Sequence, residues 1–225
     1  MAKKNVTVED QNLENVQEAL NTTTMWIEKN QKKLLIAVSA IVVLVVAVLG
    51  YNQYVVKPNQ ENINNENALA TVYFMQGNYE VALNGDSANC VGFKEIADEY
   101  TMYQGGKLAA LYTGICYFQM GQYENAVEYL KKFDAKDVNV APAALQLLGD
   151  TYVRLEDYNN AAKAFESAAK SGNKVIAPMS LRKLGFVYIE LGDKAAAKKA
   201  FETIKNEYPA SAEASDIDKY ISIAE

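Results

Sequence analysis

Apolar residues are spread unevenly along the chain, and the longest apolar run lies near its start. No charged residue separates Lys33 from Lys57, and the 23 residues between them are mostly Val, Leu, Ile and Ala. Because a helix rises about 1.5 Å per residue, roughly 20 residues cross a hydrocarbon core about 30 Å thick. Tyr51 and Tyr54 stand where interfacial aromatic residues are common. The run therefore predicts one transmembrane helix over residues 34–56.

Two other kinds of segment have a similar composition. A buried core helix rarely extends so far without a polar face. A cleaved signal peptide has a short N-terminal region, an apolar core of about 7–15 residues and a small-x-small cleavage site. Here 33 residues precede the run, and Leu49-Gly50-Tyr51 is a poor cleavage site. The sequence therefore favours an uncleaved anchor.

The charges on either side of the run predict its orientation. Lys29, Lys32 and Lys33 lie on the N-terminal side, whereas only Lys57 flanks the other side. The positive-inside rule then puts the N-terminus in the cytoplasm and residues 57–225 outside it. The expected location is the bacterial inner membrane, with a single span and a periplasmic domain. The opposite topology, with a cytoplasmic adaptor domain, stays an alternative.

Residues 1–33 form the predicted cytoplasmic segment. Its apolar residues fall near one face of a helix that starts near residue 10: Leu13, Val16, Leu20 and Ile27. That spacing is typical of an amphipathic helix, which would rest on the membrane or on a partner. A weakly helical, solvated tail is the alternative.

After the apolar run, Gly, Tyr and Ala recur at fixed offsets. Gly114, Gly149 and Gly185 are 35 and 36 residues apart, and each is followed by Tyr three residues later and by Ala twelve residues later. A large apolar residue recurs in the second half of each copy: Leu130, Phe165 and Phe201. The pattern resembles the tetratricopeptide repeat, a helix–turn–helix of 34 residues. The resemblance implies an all-α chain, in which an α-solenoid follows one transmembrane helix.

The recurring residues predict specific packing. The three glycines let the first helix of each copy approach its neighbour closely. Gly121 and Gly192 are expected to end the first helix in the left-handed conformation that Gly adopts at least cost. Glu156 stands at the equivalent position of the middle copy, so we expect a different cap there.

The offsets divide residues 57–225 into regular copies at 107–141, 142–177 and 178–209, which a capping helix follows at 210–225. A degenerate copy over residues 63–106 precedes them, with an insertion near residues 85–92. Gly105 and Gly106 are expected to break the helix that the insertion carries. Ile217, Tyr220 and Ile221 are expected to cover the last copy, since solenoids need a cap.

In this fold the first helix of each copy lines a concave surface, and a mixed apolar and charged lining suits an extended peptide or a partner helix. The predicted partner-binding residues are Leu111, Ile115, Phe118, Gln119, Gln146, Asp150, Arg154, Arg182, Phe186 and Glu190. Alternatively, some of them pack against the preceding copy.

Composition and charge exclude several functions. Residues 58–225 carry 16 basic and 23 acidic residues, which argues against a nucleic-acid partner. There is no His, and two cysteines are too few for a zinc site. Cys90 and Cys116 are expected to stay unpaired, since Cys116 falls at a helical core position. No phosphate loop or nucleophile motif is present, so we expect no enzyme, cofactor, metal or small-molecule substrate.

The whole layout is similar to the ancillary SecYEG translocon subunit family. Locally the resemblance depends on the repeat at 114–126, on residues 92–100 and on residues 204–211. It implies a protein beside the Sec translocon that helps newly exported client polypeptides, together with a periplasmic chaperone. A scaffold for envelope assembly or cell division is the alternative.

Overall fold

A computed structural model describes residues 8–86, 89–134 and 136–225, with side chains described from Thr24 onwards. The chain divides into two compact units, Met1–Pro58 and Asn59–Glu225. The predicted apolar face of the N-terminal segment rests mainly on Leu13, Val16 and Leu20, and these side chains lie outside the described part.

The first unit contains helix α1, Val8–Tyr51, and the π-helical segment Asn52–Val56. Within the helical stretch Thr24–Met75, an 18-residue window has a mean hydropathy of 2.9, and none of that window is buried. By length and composition this stretch could cross a membrane, a property that it shares with N-terminal signal sequences.

Ten further helices follow in the described ranges: α2 (Lys57–Met75), α3 (Tyr79–Asn84), α4 (Phe93–Glu99), α5 (Gln104–Gln119), α6 (Tyr123–Lys132), α7 (Val140–Arg154), α8 (Tyr158–Ala169), α9 (Ile176–Glu190), α10 (Lys194–Glu207) and α11 (Ile217–Ile223). A short 3₁₀ helix, Ala212–Asp216, precedes α11. The described ranges contain no strand, only an isolated bridge between Asp86 and Cys90.

Helices α5 to α10 form three antiparallel pairs, and the same contact closes each pair. A Cβ built on the glycine of the first helix would lie 2.3–2.6 Å from a large apolar side chain of the second helix. The pairs are Gly114 with Leu130, Gly149 with Phe165, and Gly185 with Phe201. The helices therefore approach as closely as the repeating glycines predict.

The turns inside the helix pairs share one backbone conformation. Gly77, Gly121 and Gly192 have φ between 74° and 77°, and Glu156 has φ 58°. Glu156 N–H donates to the carbonyl oxygen of Val153, as the Gly121 and Gly192 amides do to equivalent carbonyls. The expectation of a different cap at Glu156 was wrong, because the middle copy keeps the left-handed turn with a side chain in place of hydrogen.

The degenerate first copy differs from the prediction at Gly105 and Gly106. Both residues lie in the first turn of α5, and the helix that the insertion carries, α4, already ends at Glu99. A Cβ on Gly105 would be 2.3 Å from Cγ2 of Ile63, and one on Gly106 would be 1.9 Å from the Tyr100 carbonyl oxygen. These glycines therefore admit α2 and the end of α4 against α5.

At the other end, α11 packs against the last pair. Ile217 is buried with Phe201 and Ile204, and the ring of Tyr220 meets Phe186 edge-on at 5.0 Å. Arg182 donates to the Tyr220 hydroxyl at 2.9 Å. The last repeat therefore has its apolar surface covered by the chain's own C-terminal helix.

Candidate protein-binding surface

The ten predicted partner-binding residues lie on the first helices α5, α7 and α9. Nine of them form three rows of equivalent positions in successive copies: Leu111, Gln146 and Arg182; Ile115, Asp150 and Phe186; Gln119, Arg154 and Glu190. Phe118 belongs to a fourth row. The fold therefore brings the predicted residues onto matching faces of three adjacent helices.

The first row is the least accessible. Leu111 and Gln146 are only 8% and 7% exposed. Leu111 packs in a core cluster with Leu130 and Ala144. Gln146 Nε2 has no hydrogen-bond partner within the described part of the chain. These two side chains belong to the packing between copies, and a partner cannot reach them in this conformation.

Two charged residues of the set are engaged inside the fold. Asp150 accepts two hydrogen bonds from Lys183 Nζ, at 2.6 and 2.8 Å. Arg182 contacts Asp216 at 3.2 Å and also stacks over the ring of Tyr220. Lys183 and Asp216 were not predicted, because the bonds join residues 33 and 34 positions apart in sequence. These pairs hold neighbouring helices together.

The last row is open to solvent. Gln119, Arg154 and Glu190 are exposed, and within the described residues Arg154 has no ion pair or hydrogen bond from its side chain. Phe186, which is 39% exposed, lies one turn before Glu190 on α9. We call Gln119, Arg154 and Glu190 the polar row, which offers an amide, a cation and an anion in succession. It can therefore donate to and accept from an extended partner.

Two grooves in the second unit were missed by sequence reasoning. A groove of about 940 Å³ lies between the N-terminal ends of α2, α5 and α7, and Leu108, Phe133 and Val140 form its apolar lining. Another of about 490 Å³ lies between α8 and α10. None of the ten predicted residues lines either groove.

In the second groove, Tyr188 donates a hydrogen bond to Glu166. Burial, followed by this bond, raises the pKa of Tyr188 to about 12. The hydroxyl therefore stays protonated at neutral pH and acts as a fixed donor between α9 and α8, not as an acid or base.

A third charged cluster ties α4 to α6. Asp98 accepts hydrogen bonds from Lys94, Lys132 and the Tyr129 hydroxyl, at 2.9–3.1 Å. Burial alone would raise the pKa of Asp98, but these three donors outweigh it and hold the pKa below its ordinary value. Within the described ranges, no group of three or more His, Cys, Asp or Glu side chains is placed to hold a metal ion. The bonds from Tyr129 and Lys132 to Asp98 make the cluster a structural clamp between α6 and α4.

Two family models match parts of the repeat domain. Residues 95–168 match the family model described as anaphase-promoting complex, cyclosome, subunit 3, and residues 179–211 match a tetratricopeptide repeat model. A comparison with curated protein sequences gave no match.

Two solved structures are similar to the chain in fold. The structure of MamA is 20% identical over 69% of this chain and 91% of its own, with a TM-score of 0.51. A Podosopora anserina putative kinesin light chain with nearly identical TPR-like repeats is 15% identical over 73% of this chain and 85% of its own, with a TM-score of 0.54. The predicted fold is confirmed: the repeat domain is an all-α solenoid of tetratricopeptide type.

Proposed function

We propose that the chain is a single-span protein of the bacterial inner membrane whose periplasmic repeat domain binds other proteins beside the Sec translocon. Its partners would be translocon subunits, a periplasmic chaperone or newly exported polypeptides. The repeat fold supports the coarser part of this function, because stacked helical repeats form extended binding surfaces for other proteins.

One observation carries the membrane assignment. The large apolar side chains between Leu35 and Leu49 are 47–70% exposed, whereas apolar residues of the repeat helices, such as Phe93, Phe165 and Ile204, are fully or almost fully buried. Contiguous apolar surface of this extent marks a region that something else covers. A bilayer fits its length, and the lysines on its N-terminal side favour the periplasm for the repeats.

The polar row supports the binding assignment. Gln119, Arg154 and Glu190 recur at one position of three successive first helices, and their side chains have no hydrogen bond or ion pair with the part of the chain that the structure describes. An extended polypeptide can satisfy its own backbone and side-chain groups on such a row. The neighbouring Phe186 adds exposed apolar area, which stabilises contact with a partner.

Cross-linking in intact cells tests the partner. A photoreactive amino acid at Gln119, Arg154 or Glu190 should capture translocon subunits or their clients. The same group at Lys163, exposed on the second helix α8, is the matched control. Capture of envelope-assembly or cell-division proteins, with no translocon subunit among the products, would favour the alternative scaffold.

Protease treatment of spheroplasts tests the orientation separately. A periplasmic repeat domain should be digested while the membrane is intact, leaving the N-terminal segment protected. If the domain survives until the membrane is broken, the orientation is wrong and the cytoplasmic adaptor takes its place.

A further inference from the structure

The two ends of the repeat stack are built from different connections. Turns inside each helix pair lie at one end, and the loops that join one pair to the next lie at the other, because successive helices run antiparallel. The loops after α6 and after α8, residues 133–139 and 170–175, belong to this second end. We call it the loop end, and the opposite one the turn end.

Contacts show that the loop end is one continuous surface. Asn173 Nδ2 donates to the Val138 carbonyl oxygen at 3.2 Å and to the Asn139 side-chain oxygen at 3.0 Å, which joins the two loops. Lys136 and Leu108 line one groove, so the first loop also adjoins the start of α5.

The loop end exposes apolar side chains on fixed loops. Val138 is 75% exposed and Val175 is 65% exposed, and each lies in a loop that precedes the first helix of a copy. Asp137 accepts from the amides of Asn139 and Val140, and Asn173 does the same for the amide of Val175. The loops are therefore fastened on both sides of each valine, and the valines project from them.

The charges of the two ends have opposite signs. The two loops carry Lys136, Lys170 and Lys174 against Asp134 and Asp137. The turns inside the helix pairs, together with the first two residues of the helices that follow them, carry Glu80, Glu124, Glu156, Asp157 and Asp193 against Lys194. The two loops therefore carry a net charge of +1, whereas the residues named at the turn end carry a net charge of −4.

We propose that the loop end contacts an anionic lipid surface, with Val138 and Val175 at the level of the headgroups and Lys136 and Lys174 beside lipid phosphates. Projecting apolar residues with a Lys one or two positions before them suit a fluid anionic interface. The acidic turn end would be repelled by the same surface. This inference rests on the proposed anchor, which would keep the domain within reach of a bilayer.

Fluorescence quenching in the full-length chain tests the contact. Trp26 is the single tryptophan, so Trp26→Phe gives a silent background. Val138→Trp and Val175→Trp report on the loop end, Gln122→Trp on the turn end, and Val43→Trp on the anchor. Each variant is reconstituted into vesicles of phosphatidylcholine and phosphatidylglycerol, with and without bromine on the acyl chains.

The expected result is strong bromine quenching at Val43→Trp, clear but weaker quenching at Val138→Trp and Val175→Trp, and none at Gln122→Trp. Quenching at Val43→Trp alone overturns the lipid contact, leaves the anchor standing and points to a protein partner for the valines. Equal quenching at both ends also overturns it. No quenching at Val43→Trp rejects the anchor and the contact together.

A charge-reversal arm checks the role of the lysines without changing the valines. Lys136→Glu combined with Lys174→Glu should remove most of the quenching at Val138→Trp. Without these charge reversals, the quenching should also be lost in vesicles of phosphatidylcholine alone, which carry no anionic lipid. Lys194→Glu at the turn end is the matched control and should change nothing. Retained quenching in the double reversal would contradict an anionic lipid surface. Circular dichroism checks that every variant is folded.

Discussion

The ring of Phe165 lies against the backbone of Gly149, so close that a Cβ on Gly149 would be 2.5 Å from the ring carbon Cε1. Phe165 is 1% exposed, so its ring has no open space into which it could retreat. This contact closes α7 against α8, and its counterparts close the other two regular pairs.

Gly149→Ala should lower the free energy of unfolding by about 1–3 kcal/mol, because overpacking a tight contact costs this much. Alanine is the better helix former by about 1 kcal/mol, so the loss measures the clash and not helix propensity. Gly149→Leu should cost more. Urea unfolding of the full chain in mild detergent, followed by circular dichroism, provides the values.

The effect of Gly149→Ala on the free energy of unfolding should lose or reverse its sign in a Phe165→Ala background. Removing the ring costs about 3–5 kcal/mol by itself, but it leaves room for a methyl group. Adding Gly149→Ala to that variant should then be neutral or stabilising. An equal loss in both backgrounds would show that the two residues do not share one contact.

Glu156→Gly should stabilise the domain by about 1 kcal/mol. The left-handed conformation costs an L-residue roughly 1–2 kcal/mol, and the greater freedom of unfolded Gly offsets part of the gain. Gly121→Ala is the reciprocal control, since a Cβ there meets no atom within 4 Å and the loss would come from the backbone alone. Destabilisation by Glu156→Gly would mean that the Glu side chain has a role in the turn.

Asp98 should make stability depend on pH in acid. Its pKa in the folded chain is held below the unfolded value, so the carboxylate stabilises the fold above about pH 4 and loses this effect as pH falls through the folded pKa. Asp98→Asn should lower the free energy of unfolding by only about 1 kcal/mol at pH 7, since the group is partly exposed. The stability of this variant should also fall less steeply as the pH drops below 4. The urea concentration at half unfolding, measured between pH 2 and pH 7, compares the original chain with the variant. The same pH dependence in both would contradict a stabilising role of the Asp98 carboxylate.

Substitution of Arg182 should affect the stability of the domain, whereas substitution of Arg154 should affect partner binding. Arg182→Ala removes contacts to Asp216 and Tyr220, so it should lower stability by about 1–2 kcal/mol and loosen α11. Arg154→Ala should change stability by less than about 0.5 kcal/mol and weaken partner capture. Thermal unfolding and cellular cross-linking of both variants decide this. Unchanged capture by Arg154→Ala would remove the polar row from the proposal.

Cys90 and Cys116 should remain thiols even in an oxidising compartment. Both are buried and free, and burial raises the pKa of Cys116 to about 12. Iodoacetamide at pH 8 should modify neither residue in the native chain and both in urea, since the thiolate is the reactive form. Mass spectrometry of protein from the periplasmic fraction provides the check, and an intramolecular disulfide would contradict it.

The fold was predictable because its determinants repeat along the sequence. A glycine, a tyrosine and a large apolar residue recur at fixed offsets, and each occurrence makes the same short-range contact within one helix pair. Gly105 and Gly106 were misinterpreted because their neighbours, Ile63 and Tyr100, belong to other elements. Glu156 was misinterpreted because tertiary packing keeps a turn that local propensity disfavours.

The candidate surface was only partly predictable. The helical period placed the ten residues on the first helices of the copies, since rows of a repeat follow from the period itself. It could not show that Gln146 is buried or that Arg182 and Asp150 are engaged. The engagement of Arg182 and Asp150 depends on Tyr220 and Lys183, each more than 30 residues away in sequence from its partner.

Consecutive copies of the repeat are joined by local contacts. Asn173 joins the loop after α8 to the preceding loop by two hydrogen bonds, and the main contacts of helices α5 to α10 in the described ranges join helices of the same copy or of adjacent copies. Gain or loss of one whole copy would therefore leave the remaining joints intact. The span of the domain is then a quantity that gene duplication can adjust in steps of one helix pair, without rebuilding a core.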